Sequence, residues 1–255
     1  MITSSSSNEE ILDVLRRVAD AIESVLVSNQ DWSLSGLRGT QYAIDVLADS
    51  AGLAVLHNAG VAVLSEESGR TGEFGVNDVL VVMDPLDGST NASRGIPWYS
   101  TALCALDHGG LRASLVANQA TPGDRYWATR GGGAFHNGKP ITHSGCTAMD
   151  KAIIGISGLP KAVPKWAQFR AHGGAAIDIC LVAQGSLDGW VDFNSHGVWD
   201  YLASILICEE VGVAIAEHND YELLVTELDQ RRTPIIAATP QLLESLREVR
   251  KAHAQ

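Results

Sequence analysis

Basic residues are scarce in this chain: 18 Lys and Arg stand against 30 Asp and Glu, a formal net charge of −12. A basic face that would hold nucleic acid by its phosphates is therefore not expected. Cysteine is sparse too. Cys104, Cys146, Cys180 and Cys208 lie far apart with no Cys-x-x-Cys pair, and three sit in apolar stretches. Buried structural thiols in a reducing compartment fit that pattern. No apolar run has the length to span a bilayer, and no charged-then-apolar leader follows Met1, which runs into Thr3-Ser4-Ser5-Ser6-Ser7. The expectation is a soluble, cytoplasmic protein that does not touch membranes. Apart from that serine tract there is no low-complexity segment, and there is no internal repeat.

What is present is enough apolar matter for a large core: 255 residues, 45% of them hydrophobic. Ser7-x-x-Glu10 is a capping box, and it opens a helix with Ile11, Val14, Leu15, Val18, Ile22 and Val25 on one stripe. A loop is expected over 31–39. A second helical pattern covers about 41–58 and stops at Gly60. Strands are expected at 61–64, 79–83, 100–106, 111–118 and 125–129, with Gly109-Gly110 as a hairpin turn. After Gly138-Lys139-Pro140 the texture changes. Strands at 152–156, 189–193, 213–216 and 234–238 alternate with helical patterns near Trp166 and over 175–184, 200–210 and 241–252. The pattern implies an α+β protein with two subregions.

The most informative segment is Asp84-Pro85-Leu86-Asp87-Gly88-Ser89-Thr90-Asn91, directly after the apolar run 79–83. Two carboxylates three positions apart, with proline stiffening the turn, suit a hard cation such as Mg2+. The Gly-Ser-Thr that follows offers N–H groups to a phosphate. Strand-ending Asp-Pro before Gly-Ser is also ordinary turn chemistry. Two other acidic clusters change the balance: Glu66-Glu67 after the apolar run 61–64, and Trp199-Asp200 at the head of a helical pattern. Taken singly, Glu66 is a solvated loop acid and Asp200 a helix cap.

Glu-Glu, then Asp-Pro-Leu-Asp-Gly-Ser-Thr-Asn, then Trp-Asp, in that order, resembles the inositol monophosphatase family of Mg2+-dependent, lithium-sensitive phosphatases. The segment from Gly131 to Gly138 and the stretch from Arg170 to Asp178 echo it further. The resemblance implies a layered αβαβα sandwich. Residues 1–138 would form an antiparallel-sheet subdomain carrying most metal ligands, and residues 139–255 a subdomain completing the site. It implies metal ligation by Glu66, Asp84, the Leu86 carbonyl, Asp87 and Asp200. Ser89, where the family commonly has threonine, would orient the attacking water, with Asp45 as its partner and Glu66 as a further catalytic group. Asp45 lacks the family's Thr-x-x-Asp lead-in and equally fits the polar face of the second helix. Gly88, Ser89, Thr90, Ala175, Asp192 and Asp200 would contact substrate. The spacing from Asp192 to Asp200 is one residue longer than in typical members, with His196 in the interval. Ser204 and Val213 replace glycines. Inositol monophosphate leads as substrate, with histidinol phosphate or another sugar or nucleotide phosphate as alternatives. A homodimer is a further implication. Some relatives are regulators of RNA machinery, so a non-catalytic or moonlighting role on this scaffold is the competing class.

Overall fold

Ser7 and Glu10 close the capping box that their spacing sets up. The Ser7 hydroxyl accepts from the Glu10 N–H at 3.2 Å, and the Glu10 carboxylate accepts from the Ser7 N–H at 2.7 Å. Helix α1 (Asn8–Ser28) follows and buries Ile11, Val14, Leu15, Val18 and Ile22. Helix α2 (Ala43–Ala59) stops where Gly60 turns left-handed, at φ 75°. The structure, a computed structural model, describes residues 1–255 except Gln30, Arg38, Thr40 and Gln255, and the side chain of Ala254 is also left aside. Within the loop expected over 31–39, Arg38 thus lies outside the described residues.

Two sheets follow in chain order. The first comprises β1 (Ala62–Ser65), β2 (Gly69–Thr71), β3 (Leu80–Asp87), β4 (Ser100–Asp107), β5 (Gly110–Asn118), β6 (Arg125–Thr129), β7 (Gly133–His136) and β8 (Lys139–Pro140), with the five-residue helix α3 (Ser89–Ser93) between β3 and β4. Their spatial order is β2-β1-β3-β4-β5-β6-β7-β8, with β1 and β3 parallel and the other neighbours antiparallel. The second sheet takes β9 (Ile153–Ser157), β10 (Gln168–Arg170), β11 (Gly189–Asp192), β12 (Ala214–Glu217) and β13 (Pro234–Ala237) in the order β10-β9-β11-β13-β12. Helices α4 (Ala175–Ala183), α5 (Leu202–Glu209) and α6 (Pro240–Ala254) complete the chain.

Strand alternation sorts the layers. On β3, Val81 and Met83 pack with α1 and α2, whereas Leu80 and Val82 pack with α4 and α5. The other side of α4 and α5 meets Trp190 and Ile236 of the second sheet. Ile154, Val191 and Ile235 face away, onto Leu242, Leu243 and Leu246 of α6. The result is helix pair, sheet, helix pair, sheet, helix: the expected αβαβα sandwich. Cys104, Cys180 and Cys208 are buried free thiols in or beside the central layer, and Cys146 is half-buried. None of the helices among the described residues is long and apolar enough to cross a membrane.

One expected element is corrected. The segment around Trp166 is not helical, and β10 instead lies parallel to β9, with Gln168 opposite Ile153. Pro160 and Pro164 precede it. Each lacks a backbone donor and restricts the residue before it to extended geometry. The α5 pattern also begins later than expected, because Val198–Asp200 forms a separate 3-10 turn.

Candidate active site

The acidic motif is built into a strand irregularity. Along β3, Asp84 pairs with Ala102 and Asp87 with Ser100, so three steps on one strand oppose two on the other. One extra residue at Pro85-Leu86 makes a bulge. Ala102 and Ser100 share a face, so Asp84 and Asp87 do as well. In an unbroken strand, residues three apart would point to opposite faces. The bulge is held by the Leu86 N–H, which donates to Asp84 Oδ1 at 2.9 Å, and by the Thr101 hydroxyl, which donates to the Pro85 carbonyl at 2.9 Å. Both acids therefore look toward the central helix layer.

Neighbouring elements deliver the remaining acids. Strand β1 runs parallel to β3 with Ser65 opposite Met83, and the Glu66 N–H continues the ladder to the Met83 carbonyl at 3.1 Å. Glu66 thus leaves the sheet beside Asp84. The Ser65 hydroxyl donates to Asp49 Oδ1 on α2 at 2.5 Å, fixing that end of β1. Asp200 comes from the 3-10 turn, where the Gly197 N–H donates to its Oδ2 at 2.8 Å. Glu66, Asp84 and Asp200 each offer a carboxylate oxygen, all within 4.8 Å of one another. Asp87 sits at the start of α4. Its Oδ2 accepts from the Ala176 N–H at 2.8 Å and its Oδ1 from the Ala175 N–H at 3.3 Å. Helix α4 therefore presents the positive end of its dipole to that carboxylate.

Such a gathering of acids is costly without a cation. Burial first, then the charges of Glu66, Asp87 and Asp200, push the Asp84 carboxyl well above its ordinary range. Burial, then the charges of Asp200, Glu67, Asp87 and Asp45, raise Glu66 to about 8. Burial raises Asp87 to about 7 and lifts Asp200 in the same direction. Among the described residues Asp84 Oδ2 is fully buried with no hydrogen-bond partner. An all-oxygen donor set with an unsatisfied buried carboxylate oxygen fits a hard divalent cation.

The flanking groups fall into place around this corner. Asp45 is buried on the first turn of α2, its Oδ2 accepting from the Tyr42 N–H at 2.8 Å, while Oδ1 has no hydrogen-bond partner among the described residues. Burial, then the Glu67 charge, raises it to about 7. Gln41 donates to Glu67 and so ties the segment before α2 to the loop after β1. Gly88 is left-handed at φ 84°, and a Cβ there would stand 3.0 Å from the Trp98 carbonyl and 3.2 Å from that of Gly173. Only glycine fits such a site without strain. Half-buried Ser89 and exposed Thr90 begin α3 directly after it. Leu86 lies in the bulge between the two acids.

A cleft of about 220 Å³ opens at the corner, with Asp87, Asp200, Ser157, Ala175, Asp178 and His196 in its lining. A larger depression of about 930 Å³ runs along α1 beside Met1, but it contains none of the converging acids. Asp192 is fully buried; its Oδ2 accepts from His196 Nδ1 at 2.8 Å and its Oδ1 from the Asn194 N–H at 2.8 Å. It is His196, not Asp192, that lines the cleft. Residue roles not evident in the sequence include that of Asn91. Its Nδ2 donates to the Trp98 carbonyl at 2.9 Å and to the His172 carbonyl at 2.7 Å, tying the β3 motif to the segment before α4. Asp178 accepts from Trp98 Nε1 at 2.9 Å and from His172 Nδ1 at 2.7 Å. Its place in the first turn of an apolar helix was the signal available for it.

The chain is similar to known proteins over most of its length. A family model described as the inositol monophosphatase family matches residues 33–255. The chain is 36% identical over 216 residues to the fructose-1,6-bisphosphatase/inositol-1-monophosphatase of Archaeoglobus fulgidus, covering 82% of this chain and 83% of that one. It is 31% identical over 205 residues to the putative Nus factor SuhB of Neisseria meningitidis serogroup B, covering 75% and 76%. The solved structure of the Thermotoga maritima IMPase shares the fold at a TM-score of 0.80 and 19% identity, over 96% of this chain and 98% of that one. A match of this extent places the chain in the inositol monophosphatase family, a family of metal-dependent phosphatases.

Proposed function

We propose that this chain hydrolyses a small phosphate monoester with Mg2+, inositol monophosphate first among the candidates. The observation that carries this is the buried, unpartnered oxygen of Asp84 beside Glu66 and Asp200. Glu66, Asp84, Asp87, Asp200 and the Leu86 carbonyl would hold the metal. A bound divalent cation supplies charge neutralisation of the ester, a water of lowered pKa and stabilisation of the leaving oxygen. The Gly88, Ser89 and Thr90 N–H groups bind the phosphoryl oxygens. Ser89 would accept from the attacking water and so align it, and the Asp45 Oδ1, which has no hydrogen-bond partner among the described residues, would be the acceptor for its hydroxyl. Glu66 takes up the proton that the water loses. Ala175 holds Asp87 in place through its N–H. The alcohol half of the ester occupies the cleft toward Asp192 and His196. Residues 1–138 then carry most of the ligands, and residues 139–255 close the site.

Phosphate release from a panel of esters, with Mg2+ and with EDTA, tests this. Turnover is expected with Mg2+ alone, and equal turnover in EDTA rejects the metal. Asp87→Asn is expected to remove turnover while the protein stays folded. Histidinol phosphate, fructose bisphosphate and a nucleotide phosphate belong in the panel as competing substrates. A second role gains support from relatives named Nus factor SuhB. Partner binding that survives in Asp87→Asn would separate that role from catalysis, and a sizing column tests the homodimer.

A further inference from the structure

The substrate end of the cleft is set by a histidine held by a buried acid. His196 stands in the loop between Asp192 and Asp200, and its side chain is 16% exposed against 0% for Asp192. Its Nδ1 is taken by the Asp192 carboxylate, and its Nε2 reaches the Ser157 hydroxyl at the long distance of 3.5 Å. Two backbone bonds with Arg232, each 2.9 Å, clamp it from behind, and the Trp190 ring packs against it edge-on. Arg250 does not compete for the Asp192 carboxylate, since its Nε donates to the Asp192 carbonyl at 2.7 Å. A fully buried carboxylate is stable when a cation answers it. The imidazolium supplies one, and Nε2 then carries a hydrogen. Among the described residues no Lys or Arg lines this cleft.

We infer that His196, oriented by Asp192, is a specificity-determining residue that donates its Nε2 hydrogen to an oxygen on the alcohol half of the ester. The inference rests on the phosphatase reading above and deepens it. A hydroxyl-bearing alcohol accepts that hydrogen. An ammonium group at the same point offers no lone pair and meets a like charge. Of the acids in the same lining, Asp178 is answered by His172 and Asp87 and Asp200 are assigned to the metal, so the His196 end favours polyol phosphates and disfavours amino-alcohol phosphates. Burial lowers the His196 pKa, but the Asp192 hydrogen bond and charge, followed by the charges of Asp200 and Asp87, outweigh it and raise it to about 9 in the metal-free protein.

The test uses His196→Gln and His196→Asn, both confirmed folded by thermal melting, with Mg2+. Inositol 1-phosphate, histidinol phosphate and p-nitrophenyl phosphate are the probes. For inositol 1-phosphate kcat/KM is expected to fall about 10- to 100-fold, the size of one lost charged hydrogen bond, mainly through KM. The fall for p-nitrophenyl phosphate is expected to be at least about tenfold smaller, and the preference for inositol 1-phosphate over histidinol phosphate is expected to shrink. An equal fall on all three esters, or none on any, overturns the inference while leaving the phosphatase reading intact. So does a wild-type preference for histidinol phosphate. If the wild-type protein releases phosphate from none of the three, the phosphatase reading fails first and takes the inference with it.

Discussion

Two groups of buried or half-buried acids stand around the same corner and are treated in opposite ways. Asp192 and Asp178 each have an imidazole partner, His196 and His172, at 2.8 and 2.7 Å. Glu66, Asp84 and Asp200 converge on one another, and Asp84 keeps a buried oxygen without a partner among the described residues. The first arrangement is self-sufficient. The second is a deficit that bound protons or an added cation would relieve. The contrast separates acids answered within the protein from acids left to repel one another, although all are Asp or Glu in the sequence.

The strongest way to break the contrast is Asp84→Asn. Turnover is expected to fall about a thousandfold, measured as phosphate release. The metal-free variant should melt higher than the metal-free parent, because a repelling carboxylate is gone. A lower melting point would mean that the corner is not strained by its own charge.

Titration sharpens it further. The Glu66, Asp87 and Asp45 carboxyls are raised to about 8, 7 and 7. The folded metal-free protein therefore keeps protons that the unfolded chain has released above the ordinary carboxylate range. Stability must fall as pH rises through roughly 4 to 8. His196, raised to about 9, adds the same sign from 6.5 upward. Thermal melts in EDTA should drop steadily from pH 5 to pH 8. The gain on adding Mg2+ should be larger at pH 8 than at pH 5, since binding must first displace those protons. A melting point flat across that range would contradict the strained corner.

On the paired side the effects are smaller. Asp178→Asn weakens the contacts to Trp98 and His172 and is expected to cost about 1–3 kcal/mol of stability, read by denaturant melts, without abolishing metal binding. At the surface, Lys251 and Glu248 pair at 2.8 Å with both side chains at least half exposed. Lys251→Ala should change stability by less than about 0.5 kcal/mol, so it serves as the baseline.

Much of this was open to a reader of the chain. Ser7 with Glu10, Gly60 after an apolar helix and the alternating runs of β3, β4 and β5 all carry local signals that tertiary packing obeyed. Trp166 misled because its apolar neighbours have helical spacing while Pro160 and Pro164 favour extended chain. Asp192 stood in a substrate-facing stretch, yet the loop that follows places the His196 imidazole between it and the cleft. Asn91 gave no hint of its part, since the carbonyls it binds lie 7 and 81 positions away.

The sequence by itself determined which groups could do the chemistry: oxygen donors in the β3 motif, a glycine obliged to turn left-handed, and two more acidic clusters in order. Only the tertiary structure decided that they meet. A bulge at Pro85-Leu86 turned Asp84 and Asp87 to one face, the parallel register of β1 set Glu66 beside them, and packing of the second sheet carried Asp200 across. Residue type is a local property, whereas convergence depends on register and layer packing between segments more than a hundred residues apart.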